Sequence, residues 1–171
     1  MITGFQFRAA KAICKLTAKE IATDIGLHQI TLLRFGKTKN LEYLNGITKN
    51  VILVKNFFES KKILFPQKNS LTLKTNIEDI SNSENGFSRF QLVCARIATG
   101  LTQAQLAKYA KVSSGTISSM ERLENHKLIE VKKMNTFILK SFFEHIGVVF
   151  ENDLTVILVK DPKVFLKSHR S

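Results

Sequence analysis

Leu101-Thr-Gln-Ala-Gln-Leu-Ala-Lys-Tyr-Ala-Lys-Val-Ser-Ser-Gly-Thr-Ile-Ser-Ser-Met-Glu121 is the stretch that decides the reading of this chain. It encodes two short helices joined by a tight turn. Thr102 is a good N-cap and Gln105 stands three places on, the spacing of a capping box. Leu106, Ala107 and Ala110 give the first helix its inner face, with Ala107 small enough for a second helix to cross closely. Val112 plugs the turn. Ser113 caps the second helix, whose Ile117 and Met120 point inward three apart. The outer face is left with Ser114, Gly115, Thr116 and Ser119, small or polar, and no acidic residue occurs before Glu121. A helix with such a face fits a DNA major groove.

The same arrangement occurs earlier in the chain. Slid along itself until Phe5 and Gln6 fall on Phe90 and Gln91, the sequence aligns with itself without a gap. At that one offset Leu16 and Thr17 fall on Leu101 and Thr102, and Ala22 on Ala107. Thr31 falls on Thr116, Asn40 on Asn125, and Phe57, Phe58 and Glu59 on Phe142, Phe143 and Glu144. Self-similarity at a fixed period marks repeated structural units, so two copies of one module are expected.

Copy one should begin with a helix from about Thr3 to Cys14. Thr17 and Glu20 form a second capping box, Gly26 suits the turn because glycine tolerates positive φ, and Leu27 plugs it. The next helix should run from His28 to Phe35 and end at Gly36. An amphipathic helix over 47–61 and two strands, 62–65 and 71–74, complete the copy. Copy two should repeat this, with a first helix near 88–99, a helix over 133–145 and a hairpin from Val148 to Val159. The expected fold is mainly α with small β (α+β), each module being a helical cluster followed by a β-hairpin. Residues 1–75 form module one, 76–86 a polar linker, 87–161 module two, and 162–171 a basic tail that frays.

Leu101-Thr102-Gln103, Leu106-Ala107, Val112-Ser113, Thr116-Ile117 and Glu121 resemble the helix-turn-helix of the Cro and lambda-repressor-like (XRE-type) family. The resemblance implies two tandem lambda-repressor-like helix-turn-helix modules. It implies a phosphate contact from Gln103, beside the cap Thr102, and base contacts from Ser114, Gly115 and Ser119, with Ser113 at the cap and Thr116 near a phosphate. In copy one the matching readers are Gln29, Ile30 and Arg34, with Thr31 near a phosphate; Ala18 stands where Gln103 would. Lys37 and Arg122, at the ends of the two reading helices, join the DNA-facing set. Gln29 can pair with adenine, Arg34 with guanine, and Ile30 can touch a thymine methyl. The short side chains of copy two encode less and lean on phosphates and DNA shape. The resemblance also implies a bridge between Arg96 and Glu121. Copy one has Lys11 and Gly36 there, so it lacks that bridge and is either a reader or a scaffold.

Composition agrees with a polyanionic partner. The 171 residues carry 26 Lys and Arg against 14 Asp and Glu, a net charge of +12, with a pI near 9.9. Such a balance favours nucleic acid first. The excess is shared: residues 1–80 carry +7 and residues 81–171 carry +5. No apolar run is long enough to span a membrane, and Met1 to Arg8 lack the pattern of a signal peptide. Cys14 and Cys94 fall in apolar helical patterns without ligand partners, which suits core thiols in a reducing compartment. His28, His126, His145 and His169 have no paired ligand or nucleophile, and no phosphate-binding glycine loop occurs. Neither an enzyme nor a cofactor is expected.

The expectation is therefore a sequence-specific transcription regulator of bacterial or phage type, cytoplasmic and nucleoid-associated. It would bind double-stranded DNA as a homodimer and block or recruit RNA polymerase. Hairpin edges left alone are marginal, so the two hairpins should pair with each other or across a two-fold axis into a larger sheet, and a homodimer is expected. The principal alternative is a protein-interaction or antitoxin-like module that docks a protein through the same helices; binding to structured RNA is a second.

Overall fold

The computed structural model describes residues 1–75, 86–129 and 133–168. The chain is α+β. Its first half runs α1 (Gly4–Ile13), α2 (Ala18–Ile25), α3 (Gln29–Lys37), α4 (Thr48–Ser60), β1 (Ile63–Leu64) and β2 (Ser70–Leu73). The second half runs α5 (Arg89–Thr99), α6 (Gln103–Ala110), α7 (Ser114–Arg122), α8 (Lys133–His145), β3 (Val148–Asn152), β4 (Thr155–Leu158) and α9 (Pro162–Ser168). Gly4 and Arg89, Ala18 and Gln103, Gln29 and Ser114, Thr48 and Lys133, Ile63 and Val148, and Ser70 and Thr155 open matching elements. Every one of these pairs is separated by the offset that carries Phe5 onto Phe90.

Local chemistry starts these helices in pairs. Thr17 with Glu20 and Thr102 with Gln105 form reciprocal capping boxes at α2 and α6. So do Thr3 with Gln6 and Ser88 with Gln91 at α1 and α5, each satisfying two backbone donors that a helix start leaves open. The two glutamines do more. Gln6 Nε2 donates to the carbonyls of Gln67 (2.9 Å) and Ser70 (2.8 Å), and Gln91 Nε2 donates to that of Asn152 (2.7 Å). Each ties the first helix of its half to its own hairpin, so both glutamines are buried yet satisfied. The matching Phe-Gln pairs of the sequence thus mark one structural joint used twice.

The four strands form one antiparallel sheet in the order β1-β2-β4-β3. The hairpins pair with each other inside the chain: β2 meets β4 with Ser70 opposite Ile157, Leu71 opposite Val156 and Thr72 opposite Thr155. The edges that made a second chain attractive are therefore half used within one. Helices join the halves as well. α1 packs on α5, and their buried residues are small where it matters: Ala9 and Ala10 on one, Cys94, Ala95 and Ala98 on the other. Small side chains let helix axes approach closely. The buried residues form one continuous hydrophobic core across both halves.

Three expectations are corrected. The α3 helix does not stop at Gly36; it continues through Lys37 to a C-cap at Thr38, because Arg8 holds its last carbonyls from the side. The segment 162–168 is not a frayed tail. It is helix α9, packed on α5, with Leu166 buried and Phe165 edge-on to His145 at 5.2 Å; residues 169–171 lie outside the described residues. The first helices are shorter than expected by their caps, Thr3 and Cys14 lying just outside α1. The polar linker expected at 76–86 falls outside the described residues except for Gly86, which is buried against Asp153.

Candidate nucleic-acid interface

Two helix pairs present the candidate faces. In the second half, α6 ends at Lys111, whose left-handed backbone (φ +52°) turns the chain. Val112 N donates to the Ala107 carbonyl at 3.0 Å. Ser113 Oγ accepts from Thr116 N at 3.0 Å and starts α7. In the first half, Gly26 takes the left-handed position (φ +67°) and Leu27 N donates to the Ala22 carbonyl at 2.9 Å. His28 caps α3 by position only, with no side-chain bond. Inner faces follow the pattern: Leu106, Ala107, Ala110, Ile117 and Met120 are buried, as are Ile21, Ala22, Leu32 and Phe35.

The outer faces carry the expected residues. On α7 and its cap, Ser113, Ser114, Gly115, Ser119 and Arg122 are exposed and Thr116 is half-buried. Ser113 Oγ and Thr116 Oγ1 lie 2.9 Å apart, and Arg122 Nη2 reaches Ser118 Oγ at 3.3 Å. On α3, Gln29, Ile30, Arg34 and Lys37 are exposed and Thr31 is half-buried. Thr102 is exposed, but its hydroxyl is committed to the capping box. Gln103 is half-buried, and its Nε2 donates to Glu121 Oε2 at 3.0 Å. That bond makes Gln103 a brace on Glu121 in this structure, a role the sequence did not suggest.

Charge on these faces is one-sided. No acidic residue occurs in α3, and the single one in α7 is Glu121. Its side chain is only 9% exposed and is neutralised by Arg96, whose Nε and Nη2 both donate to the carboxylate. The paired geometry of guanidinium and carboxylate is the strong form of this contact. The bridge expected between α5 and α7 is present, and copy one, with Lys11 and Gly36 at those places, has none.

Copy one compensates in a way the sequence hid. Arg8 Nη1 donates to the carbonyls of Gly36 (3.0 Å) and Thr38, and its Nη2 to Asn40 Oδ1. In copy two the same service comes from Arg89, which donates to the Glu121 carbonyl at 3.0 Å and to Asn125 Oδ1. Arg89 is the counterpart of Gly4, not of Arg8. A side chain at Gly4 would run into the Thr38 carbonyl, so there the arginine comes from one turn further along α1. The halves then clasp each other: Asn40 Nδ2 donates to the Ala98 carbonyl (2.9 Å) and Asp161 Oδ1 (2.6 Å), and Arg89 Nη1 to the Ile13 carbonyl (3.3 Å). Burial lowers the pKa of both guanidinium groups, opposed at Arg8 by Asp161 and at Arg89 chiefly by Glu121. The signal that could have found this was the pair of matched asparagines, Asn40 and Asn125.

Among the described residues no helix is long and apolar enough to cross a membrane, and no group of three or more His, Cys, Asp or Glu side chains comes together. Comparison with protein families, with curated proteins and with solved structures gave no match to this chain.

Proposed function

We propose that this chain binds duplex DNA in a sequence-selective way and regulates transcription, with two helix-turn-helix modules of the Cro and lambda-repressor type in one polypeptide. The observation that carries the reading is the pair of outer faces on α3 and α7. They are related by the same offset as the paired strands β2 and β4, rich in hydrogen-bonding groups, and free of exposed carboxylates. A polyanion with donor and acceptor edges is the partner such faces fit. Proteins of this kind commonly bind as two-fold dimers on near-palindromic sites. Here one chain supplies both faces, so the two-fold arrangement does not require a homodimer; a second chain would add at the sheet edges β1 or β3. Occupied promoter DNA would block or recruit RNA polymerase. The test is selection from random duplexes at physiological salt, followed by anisotropy titration of the selected sequence against a scrambled one. Equal affinity for both would remove the reading.

A protein-docking role for α3 is the second reading, and one observation favours it. Ile30 is 78% exposed and Leu33 50% exposed on the same helix. Large apolar groups on an outer helix face suit a protein surface as well as thymine methyls.

A further inference from the structure

Between the halves lies an open cleft of about 620 Å³, bounded by the α1–α2 turn, the ends of α4 and β2, and the loop after α7. Its size is that of small-molecule sites. Six of its lining residues are cationic: Lys15, Lys61, Lys62, Lys74, Arg89 and Arg122. Among the described residues the single lining carboxylate, Glu124, lies 3.5 Å from His126. The four lysines are exposed and make no ion pair among the described residues. Like charges gathered in this way repel one another unless an anion joins them.

The chain contains its own control. In the second half, the counterparts of Lys15, Lys61, Lys62 and Lys74 are Gly100, Ile146, Gly147 and Val159, none of them charged. That counterpart cleft is filled: Lys163 of α9 lies over Gly100, Lys160 over Gly147, and the Asp161 carboxylate accepts from Asn40 Nδ2. The backbone sharpens the contrast. Lys15 and Lys62 hold left-handed φ values of +56° and +66°, where the counterparts are Gly100 at +71° and Gly147 at +103°. A left-handed backbone strains any residue with a β-carbon and suits glycine. One cleft meets that demand with glycine; the other places lysines there and, among the described residues, is not filled. Asn40 and Asn125 each accept from a guanidinium at Oδ1, that of Arg8 and of Arg89, but among the described residues only Asn40 also donates to a carboxylate, Asp161.

We propose that this cleft binds a small polyphosphate-bearing ligand, its phosphate oxygens held by Lys15, Lys61, Lys62 and Lys74. The ligand chemistry is a cluster of phosphate oxyanions. A compact polyphosphate and a nucleic-acid backbone both offer it, and the volume of the cleft selects the compact one. Binding of this ligand is independent of the duplex-DNA reading, and its readout needs no DNA.

The test uses the full chain and inorganic tripolyphosphate, followed by calorimetry at physiological salt, with sulfate at matched ionic strength as a comparison. Saturable binding of one tripolyphosphate per chain is expected. The variant Lys15→Gly/Lys62→Gly copies the counterpart cleft and relieves two strained residues, so it should fold with an unchanged or higher Tm while its affinity falls at least tenfold. A control variant, Lys49→Gln/Lys108→Gln, removes two exposed charges elsewhere and should bind within twofold of the parent. Absence of saturable binding, or an equal loss in the control variant, overturns the proposal. A third arm titrates a random duplex: if tripolyphosphate does not bind but the glycine variant loses duplex affinity tenfold, the cleft serves a nucleic-acid backbone and the small-ligand proposal fails.

Discussion

Leu71 and Val156 face each other across the β2–β4 pair, and each holds the same place in its own half. When a position meets its own counterpart in an antiparallel ladder, the two-fold axis relating the halves passes between them. The neighbours obey it: Ser70 lies opposite Ile157, the counterpart of Thr72, and Thr72 lies opposite Thr155, the counterpart of Ser70. Below the sheet, α1 meets its counterpart α5. The chain is thus arranged as a dimer whose subunits are covalently joined.

A shared core predicts shared stability. Leu71 is fully buried at the axis, so Leu71→Ala should cost roughly 2–5 kcal/mol, the range for large-to-small core changes. Hydrogen exchange should show protection falling in both halves together. Loss confined to residues 1–75 would mean that the halves unfold independently.

The braces on α7 should differ in weight. Arg96→Ala leaves Glu121 nearly buried without its cation and should destabilise by about 3 kcal/mol. Gln103→Ala removes one hydrogen bond to the same carboxylate and should cost about 1 kcal/mol. If Gln103 is chiefly a phosphate contact, thermal denaturation will leave Gln103→Ala unchanged while its affinity for any duplex drops.

The C-terminal helix makes a prediction opposite to that of a frayed tail. Leu166 is buried and Asp161 accepts from Asn40 across the halves. Leu166→Ala should lower stability by roughly 2 kcal/mol or more, read as a shift of the urea midpoint. A midpoint identical to that of the parent chain would show that α9 is dispensable.

Both cysteines set an alkaline limit. Burial is the largest cause of the rise in each thiol pKa; Cys14 is pushed up to about 11 and Cys94 is raised as well. A thiol whose folded pKa exceeds its unfolded value adds stability that is complete below the unfolded pKa, about 8.5. That stability is lost as pH rises through the folded value. Denaturant midpoints should therefore fall between about pH 9 and 11, and Cys14→Ser/Cys94→Ala should flatten that part of the profile. In the native state Cys94 should resist alkylation at about pH 8.

Much of this fold was legible because its signals are local. Thr17 with Glu20, Thr102 with Gln105, the turn at Gly26 and the inward Ile117 and Met120 each declare themselves within a few residues, and the internal repeat multiplied them. Contacts between halves left weaker marks. Nothing near Arg8 announces that it will hold Gly36 and Thr38, since the arginine that serves the second half stands at a different position, Arg89. Gln103 reads as a phosphate contact because its partner, Glu121, is eighteen residues away. The tail reads as frayed because its charges are local, whereas the α5 helix it packs on is not. The outer faces of α3 and α7 were legible as surfaces; the sequence encodes what they display, while a partner's identity lies in chemistry outside the chain.

The two faces should divide the work on DNA. Gln29 and Arg34 are long and exposed, whereas Ser114 and Ser119 are short. Arg34→Ala should cost roughly 1–3 kcal/mol on the preferred duplex and little on random DNA. If Ser119 substitutions abolish selectivity while Arg34→Ala leaves it intact, α7 is the reader and α3 serves assembly or docks a protein.

The central claim is that one chain presents two matched DNA-reading faces about an internal two-fold axis. Native mass measurement of the chain on its selected duplex, paired with footprinting of that complex, tests it most directly. The expected result is one chain per duplex and two protected half-sites of related, inverted sequence, one weakened by changes on α3 and the other by changes on α7. Two chains per site with a single face engaged in each, or no duplex preferred over a scrambled one, would contradict it.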